Sequence, residues 1–121
     1  MMASKKSEIH LRTLTALAEP NRKQIVDLLR EGPLTVGEIA ERLGLRQPQA
    51  SKHLKLLNES GILNVTADAN RRIYGLRAEP FIGLNEWLSS FRKVMEERFD
   101  KLDDYLEKIQ KIEKNKNRSK R

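Results

Sequence analysis

Apolar positions in this chain recur every three or four residues over four successive stretches, then every second residue, then every three or four again to near the end. The first spacing is that of helices buried along one face, and the second is that of a strand pair. Residues from about 8 to 17 predict a short first helix, with Ile9, Leu11, Leu14 and Leu17 available for burial. The run AEPNRKQIVDLLREGP predicts a second. Pro20 suits a first helical position, Ile25, Val26, Leu28 and Leu29 form its apolar stripe, and Gly32-Pro33 ends it.

The stretch TVGEIAERLGLRQPQASKHLKLL, residues 35–57, predicts two helices joined by a tight turn. Thr35 followed by Glu38 is the capping-box pattern, in which the hydroxyl takes a free helix-start N–H and the carboxylate reaches back. Val36, Ile39, Ala40 and Leu43 then repeat at helical spacing, and Gly44 supplies the backbone freedom the turn needs. The next helix starts around Gln47 with Pro48 in its first turn and runs to about Asn58, with Gly61 as its stop. At about 100° per residue, Ala50, Leu54 and Leu57 fall on one side, while Pro48, Ser51, Lys52 and Lys55 fall on the other with Gln49 at the flank. A packed back and a front of amide, hydroxyl and ammonium groups is the chemistry of a helix laid in a DNA major groove. The competing reading is an ordinary solvated face.

From Ile62 the period changes. ILNVTA and RRIYGLR, separated by Asp68-Ala69-Asn70, predict a β-hairpin whose turn uses an aspartate or asparagine at positive φ. Leu63, Val65, Tyr74 and Leu76 are its expected inward residues by the two-residue repeat, and Arg71 and Arg72 lie near its tip. After Glu79-Pro80, the positions Phe81, Leu84, Leu88, Phe91, Met95, Phe99, Leu102, Leu106 and Ile109 step by threes and fours. Their mean spacing is close to the ~3.5 of a helix packed along a partner helix. A seam this long predicts a dimerisation helix, with Leu84, Trp87, Leu88, Phe91, Met95, Phe99 and Leu102 as interface residues. The alternatives are a helix folded back on its own core and a ligand pocket beside Trp87. The pairs Glu97/Lys101, Asp104/Lys108 and Glu107/Lys111 support its outer face.

Composition sharpens this picture in three ways. A chain of 121 residues allows one modest core, and its hydrophobic fraction of 38% suits a helical unit that completes its burial by pairing with a second copy. The absence of cysteine excludes disulfides, thiolate metal sites and thiol redox switching. The net charge of +7 is informative by position: residues 46–77 hold six basic and two acidic side chains, whereas residues 114–121 hold five basic ones and none acidic. No stretch is apolar enough to span a membrane and MMASKKSE lacks a secretion signal's apolar segment, so a cytoplasmic protein is expected.

Other candidate chemistry is thin. His53 lies at the edge of the buried side of its helix and reads as structural. His10 stands alone on the first helix. Asp100, Asp104 and Glu107 share a face that reads as solvated rather than as an ion site. No catalytic constellation and no phosphate-cradling glycine loop is visible, so no enzyme, cofactor or metal is expected.

With these elements placed, the chain resembles the ArsR/SmtB-type winged helix-turn-helix repressors. The likeness rests on LTALAEPNRKQIVDLL at 14–29, LTVGEIAERLGLRQPQASKHLKLLNESGIL at 34–63 and RRIYGLR at 71–77. The resemblance implies a mainly α fold with a small β-hairpin as wing, a long C-terminal dimerisation helix, and a homodimeric prokaryotic repressor on an imperfect inverted repeat, associated with the nucleoid when bound. The family's cysteine metal site on the third helix has no counterpart here, nor has its histidine-bearing site on the last helix. Arg46 replaces the small cap ahead of the recognition helix, and Asn70 replaces a glycine at the wing tip.

The expected division is a disordered N-terminus at 1–7, a winged helix-turn-helix domain at 8–78, the dimerisation helix at 79–113 and a basic disordered tail at 114–121. Gln47, Gln49, Ser51 and Lys52 are the candidates for base contacts, and Thr35, Arg46, Lys55, Arg71 and Arg72 for the DNA backbone. The rival functions are a winged-helix protein-interaction module, and a sensor relieved by a small organic inducer; any small-molecule or protein effector is left open.

Overall fold

A computed structural model describes residues 5–119. They form α1 (Lys5–Leu17), α2 (Pro20–Leu29), β1 (Leu34–Thr35), α3 (Val36–Leu43), α4 (Gln47–Glu59), β2 (Leu63–Asp68), β3 (Arg71–Leu76) and α5 (Ala78–Ser119). The chain divides into two compact units, one ending at Leu84 and the other beginning at Asn85.

Each short helix of the first unit is closed by its own sequence. Glu19 caps α2 by accepting from the Arg22 N–H at 2.8 Å, with Pro20 opening the first turn. Thr35 and Glu38 form the full capping box on α3: the Glu38 N–H donates to Thr35 Oγ1 at 3.2 Å and the Thr35 N–H donates to Glu38 Oε1 at 3.0 Å. Gly44, at φ 65°, then turns the chain while the Leu45 N–H closes on the Ala40 carbonyl at 2.9 Å. The same closure ends α4, where the Ile62 N–H reaches the Leu57 carbonyl at 3.1 Å and carries Ile62 into the core.

The core gathers Ile25, Val26 and Leu29 from α2, Ile39 from α3, Leu54 and Leu57 from α4, and Ile62, Leu63 and Tyr74 beside and within the hairpin, with Phe81 of α5 packed partly against it. The antiparallel sheet has the order β1-β3-β2. Its third strand, β1, went unpredicted because two residues carry no periodicity. Leu34 pairs with Tyr74 and Thr35 with Ile73, which ties the start of α3 to the hairpin. Gly75 lies close beneath its neighbours here: a Cβ would sit 2.9 Å from Asn64 Oδ1, the end of a side chain that can turn aside, and in ordinary contact with Pro33 Cγ at 3.5 Å.

Several expectations are corrected. On α1, Ile9, Leu11 and Leu14 are exposed at 53%, 65% and 39%, and the buried residues are Thr13 and Ala16. The small side chains mark where the helix approaches its neighbours, and the Thr13 hydroxyl is satisfied by donating to the Ile9 carbonyl at 3.0 Å. Val65 pairs with Tyr74 as its parity requires but is exposed, since it lies beyond the edge of the core. The hairpin's positive φ falls on Ala69, at 56°, and not on Asp68 or Asn70.

The boundaries also shift. Lys5–Ser7, expected to be disordered, open α1, and α5 begins at Ala78 and continues past residue 113 to Ser119. No glycine or proline interrupts KNKNRS, and Lys116 lies where the helix dipole favours a cation. The disorder expected at residues 1–4 and 120–121 lies outside the described residues.

The second unit is the helix from Asn85 onward. Trp87, Leu88, Phe91, Met95, Phe99 and Leu102 are all exposed there, and Trp87 and Phe91 meet edge to face with ring centres 5.2 Å apart.

Left-handed backbone costs a non-glycine residue ~1–2 kcal/mol. Ala69→Gly is therefore expected to stabilise the protein by about 1 kcal/mol after the entropy that glycine itself loses on folding. A urea titration checks this: the midpoint should rise at unchanged slope.

Candidate nucleic-acid interface

The first unit presents a cleft between α4 and the hairpin. One wall is the row Gln47, Ser51, Lys55 and Asn58, spaced so that all four lie on one side of α4. The other wall is Val65, Asn70, Arg71, Arg72 and Tyr74, and the start of α3 supplies Thr35, Val36 and Gly37 at the end. The lining holds three cations, Lys55, Arg71 and Arg72, and no carboxylate. Such a cleft attracts a polyanion, and its mixture of amides, hydroxyls and cations can contact both base edges and phosphates.

The candidate residues divide by position. Thr35, Gln47, Ser51, Lys55, Arg71 and Arg72 line the cleft together; Arg46, Gln49 and Lys52 do not. Lys52 is exposed on the outer side of α4, and Gln49 occupies the flank away from the row. Gln49 has a second task. An arginine side chain has no acceptor, so Arg46 cannot cap α4, and the reciprocal half of the box forms alone: the Arg46 N–H donates to Gln49 Oε1 at 3.2 Å.

Thr35 is similarly committed, its hydroxyl donating to Glu38 Oε1 at 2.9 Å while accepting from the Glu38 N–H. Arg71 lies 3.6 Å from the Asp68 carboxylate in an exposed pair that solvent screens. Asn58 and Val65 were missed as candidates. Asn58 follows Ser51 by two helical turns and the wheel would have found it, whereas Val65 was assigned to the core.

Beneath α4, His53 Nδ1 lies 3.6 Å from Glu19 Oε2, the same carboxylate that caps α2. The recognition helix thus meets the start of α2 through a polar contact beside the leucines. The Arg22 N–H is the main reason that the Glu19 carboxyl is held below the ordinary glutamate range. Glu38 is held low in the same sense, first by the Thr35 N–H and then by the Thr35 hydroxyl.

A helix-turn-helix followed by a strand pair, with a cationic cleft between the second helix and the hairpin, defines a winged helix-turn-helix DNA-binding protein. Comparison with known proteins agrees. A helix-turn-helix domain family matches residues 17–66. The HTH-type transcriptional regulator Rv2034 of Mycobacterium tuberculosis is 36% identical over 80 residues, 66% of this chain and 75% of that protein. The transcriptional repressor SdpR of Bacillus subtilis is 29% identical over 76 residues, 63% of this chain and 84% of its own. The crystal structure of an ArsR family transcriptional regulator superposes with a TM-score of 0.67 at 29% identity, covering 78% of this chain and 97% of that one. The chain belongs to the ArsR/SmtB family of winged-helix transcriptional regulators.

The lowered pKa of Glu38 has a signed consequence. Its cap contributes stability above the ordinary glutamate pKa, and that contribution is lost as pH falls through the lower folded value. Glu38→Gln should therefore flatten this part of the acid side of the stability curve. Urea midpoints collected at a series of pH values from neutral downward check it.

Proposed function

We propose that the chain is a homodimeric repressor, a cytoplasmic binding protein rather than an enzyme, that occupies an inverted-repeat operator and blocks transcription by occupancy alone. The observation that carries this reading is the cleft between α4 and the hairpin, which sets Lys55, Arg71 and Arg72 among amides and hydroxyls with no carboxylate among its lining residues. The name of SdpR, a transcriptional repressor, supports the direction of control. Among the described residues no helix is long and apolar enough to cross a membrane.

In this reading α4 lies in the major groove. Gln47 and Ser51 read base edges from the cleft, Gln49 and Lys52 from the outer side, and Lys55, Arg46, Thr35, Arg71 and Arg72 meet the backbone. Gln49 keeps its amide donors and one carbonyl lone pair for a base while Oε1 accepts from the Arg46 N–H, and Thr35 can offer a phosphate only what its cap leaves free. The second copy is joined through the apolar positions Leu84, Trp87, Leu88, Phe91, Met95, Phe99 and Leu102. Two recognition helices then sit about one DNA turn apart, roughly 34–36 Å.

Gln47→Ala is expected to lose about 1–3 kcal/mol of discrimination at one base pair of each half-site, whereas Arg72→Ala should weaken all sequences alike and flatten the salt dependence by about 0.9 per phosphate lost. Fluorescence anisotropy titrations of DNA from upstream of the protein's own gene, repeated at several salt concentrations, separate the two effects. Equal loss on operator and unrelated DNA for Gln47→Ala would refute the groove placement. Phe91→Asp should yield monomers in sedimentation and lose most operator affinity, because each half-site must then be bound alone.

A further inference from the structure

Across α4 from the cleft lies a second hollow of about 470 Å³, bounded by α1, the start of α2 and the last turns of α4. At about 100° per residue, Leu56 and Ser60 fall on the side of α4 opposite the row Gln47, Ser51, Lys55 and Asn58. Glu8, Leu11, Arg12 and Thr15 follow the spacing of one helical stripe, so one side of α1 makes the facing wall. Leu11 and Leu56 are 65% and 40% exposed, and the buried Ala16 completes the apolar part of the lining. A hollow of this size suits a small molecule.

Two guanidinium groups border that apolar surface. Arg22 is held against the last turn of α1, its Nε donating to the Ala16 carbonyl at 2.7 Å and its Nη2 to the Thr15 carbonyl at 3.5 Å. A guanidinium carries five N–H donors, so others remain for a ligand. Arg12 is exposed and forms no ion pair among the described residues, although Glu8, the one carboxylate of the lining, precedes it by a single helical turn. The hollow therefore holds a positive charge in excess beside leucine side chains.

The geometry points to this hollow as a binding site for a small organic carboxylate whose hydrocarbon part is a short aliphatic chain or a single ring. An inorganic anion would satisfy the arginines and leave Leu11 and Leu56 in water. A neutral apolar molecule would cover the leucines but take guanidinium donors out of water with no acceptor to replace it. A carboxylate joined to a hydrocarbon meets both demands: its two oxygens accept from the planar fork of an arginine while its body lies on the leucines. The site shares no residue with the nucleic-acid cleft and stands whether or not the chain represses transcription.

Titrating the isotope-labelled full-length protein with hexanoate and with phenylacetate, followed through its amide NMR signals, tests the site. Both acids should give saturable shifts at Leu11, Thr15, Leu56 and Ser60, whereas hexanol and inorganic phosphate should give none there. Arg12→Gln, at an exposed position, is expected to weaken hexanoate by about tenfold through the loss of a charge-assisted hydrogen bond. Leu56→Gln should weaken it as well, with the amide signals away from the hollow unchanged in both variants. Equal shifts with hexanol would overturn the carboxylate, and equal shifts with phosphate would overturn the hydrocarbon. No saturable shift at these residues with either acid would overturn the site itself.

Discussion

Thr35 is where the sheet, the helix-turn-helix and the cleft meet. Its backbone pairs with Ile73 in the sheet, its N–H and hydroxyl form the capping box with Glu38, and its side chain stands at the end of the cleft. A cap is worth ~0.5–2 kcal/mol, and a two-residue strand alone is worth little. Joined in one residue they hold the hairpin against the helix-turn-helix. The distance between the row on α4 and the arginines of the hairpin is then a property of the folded core. That rigidity holds the arginines of the hairpin at a fixed offset from α4.

Most of this scaffold was legible because it is written in local chemistry. The capping box at Thr35 and Glu38, the glycine at 44 and the change of period at Ile62 each identify an element without tertiary information. The misreadings arise where neighbours decide. Apolar residues ring α1, so spacing alone did not select a buried face; the small residues Thr13 and Ala16 did, by permitting close approach. Ala69 has positive φ because Asp68 pairs with Arg71, leaving a two-residue turn that needs left-handed backbone at its first position. That register is set by the core at the hairpin's other end, where Leu63 pairs with Leu76.

The candidate interface was legible in composition and only partly in geometry. Counting amides and lysines singled out α4, and the helical row of α4 that faces the hairpin is Gln47, Ser51, Lys55 and Asn58, with Gln49 on another side. Local stability explains part of the difference. With an arginine at the cap position, α4 borrows an acceptor from its own third residue, so one glutamine serves both the helix start and any base it reads. A side chain held by a backbone N–H is preorganised in direction and keeps its amide donors and a second carbonyl lone pair for another partner. Gln47 and Asn58 cap no helix start and line the cleft instead.

The second unit poses a different physical problem. An isolated helix in water is marginal even when its sequence favours helix, and a surface i,i+4 ion pair adds only about 0.2–0.5 kcal/mol. Exposed Leu88, Phe91, Met95 and Leu102 represent far more: fully burying a large aliphatic or aromatic side chain is worth ~1.5–3 kcal/mol. The helix beyond Asn85 therefore gains its stability from whatever covers that stripe. When the cover is a second copy, helix order, association and occupancy of two half-sites become one coupled equilibrium. Operator binding then rises more steeply with protein concentration than a single site allows, and it does so without any ligand.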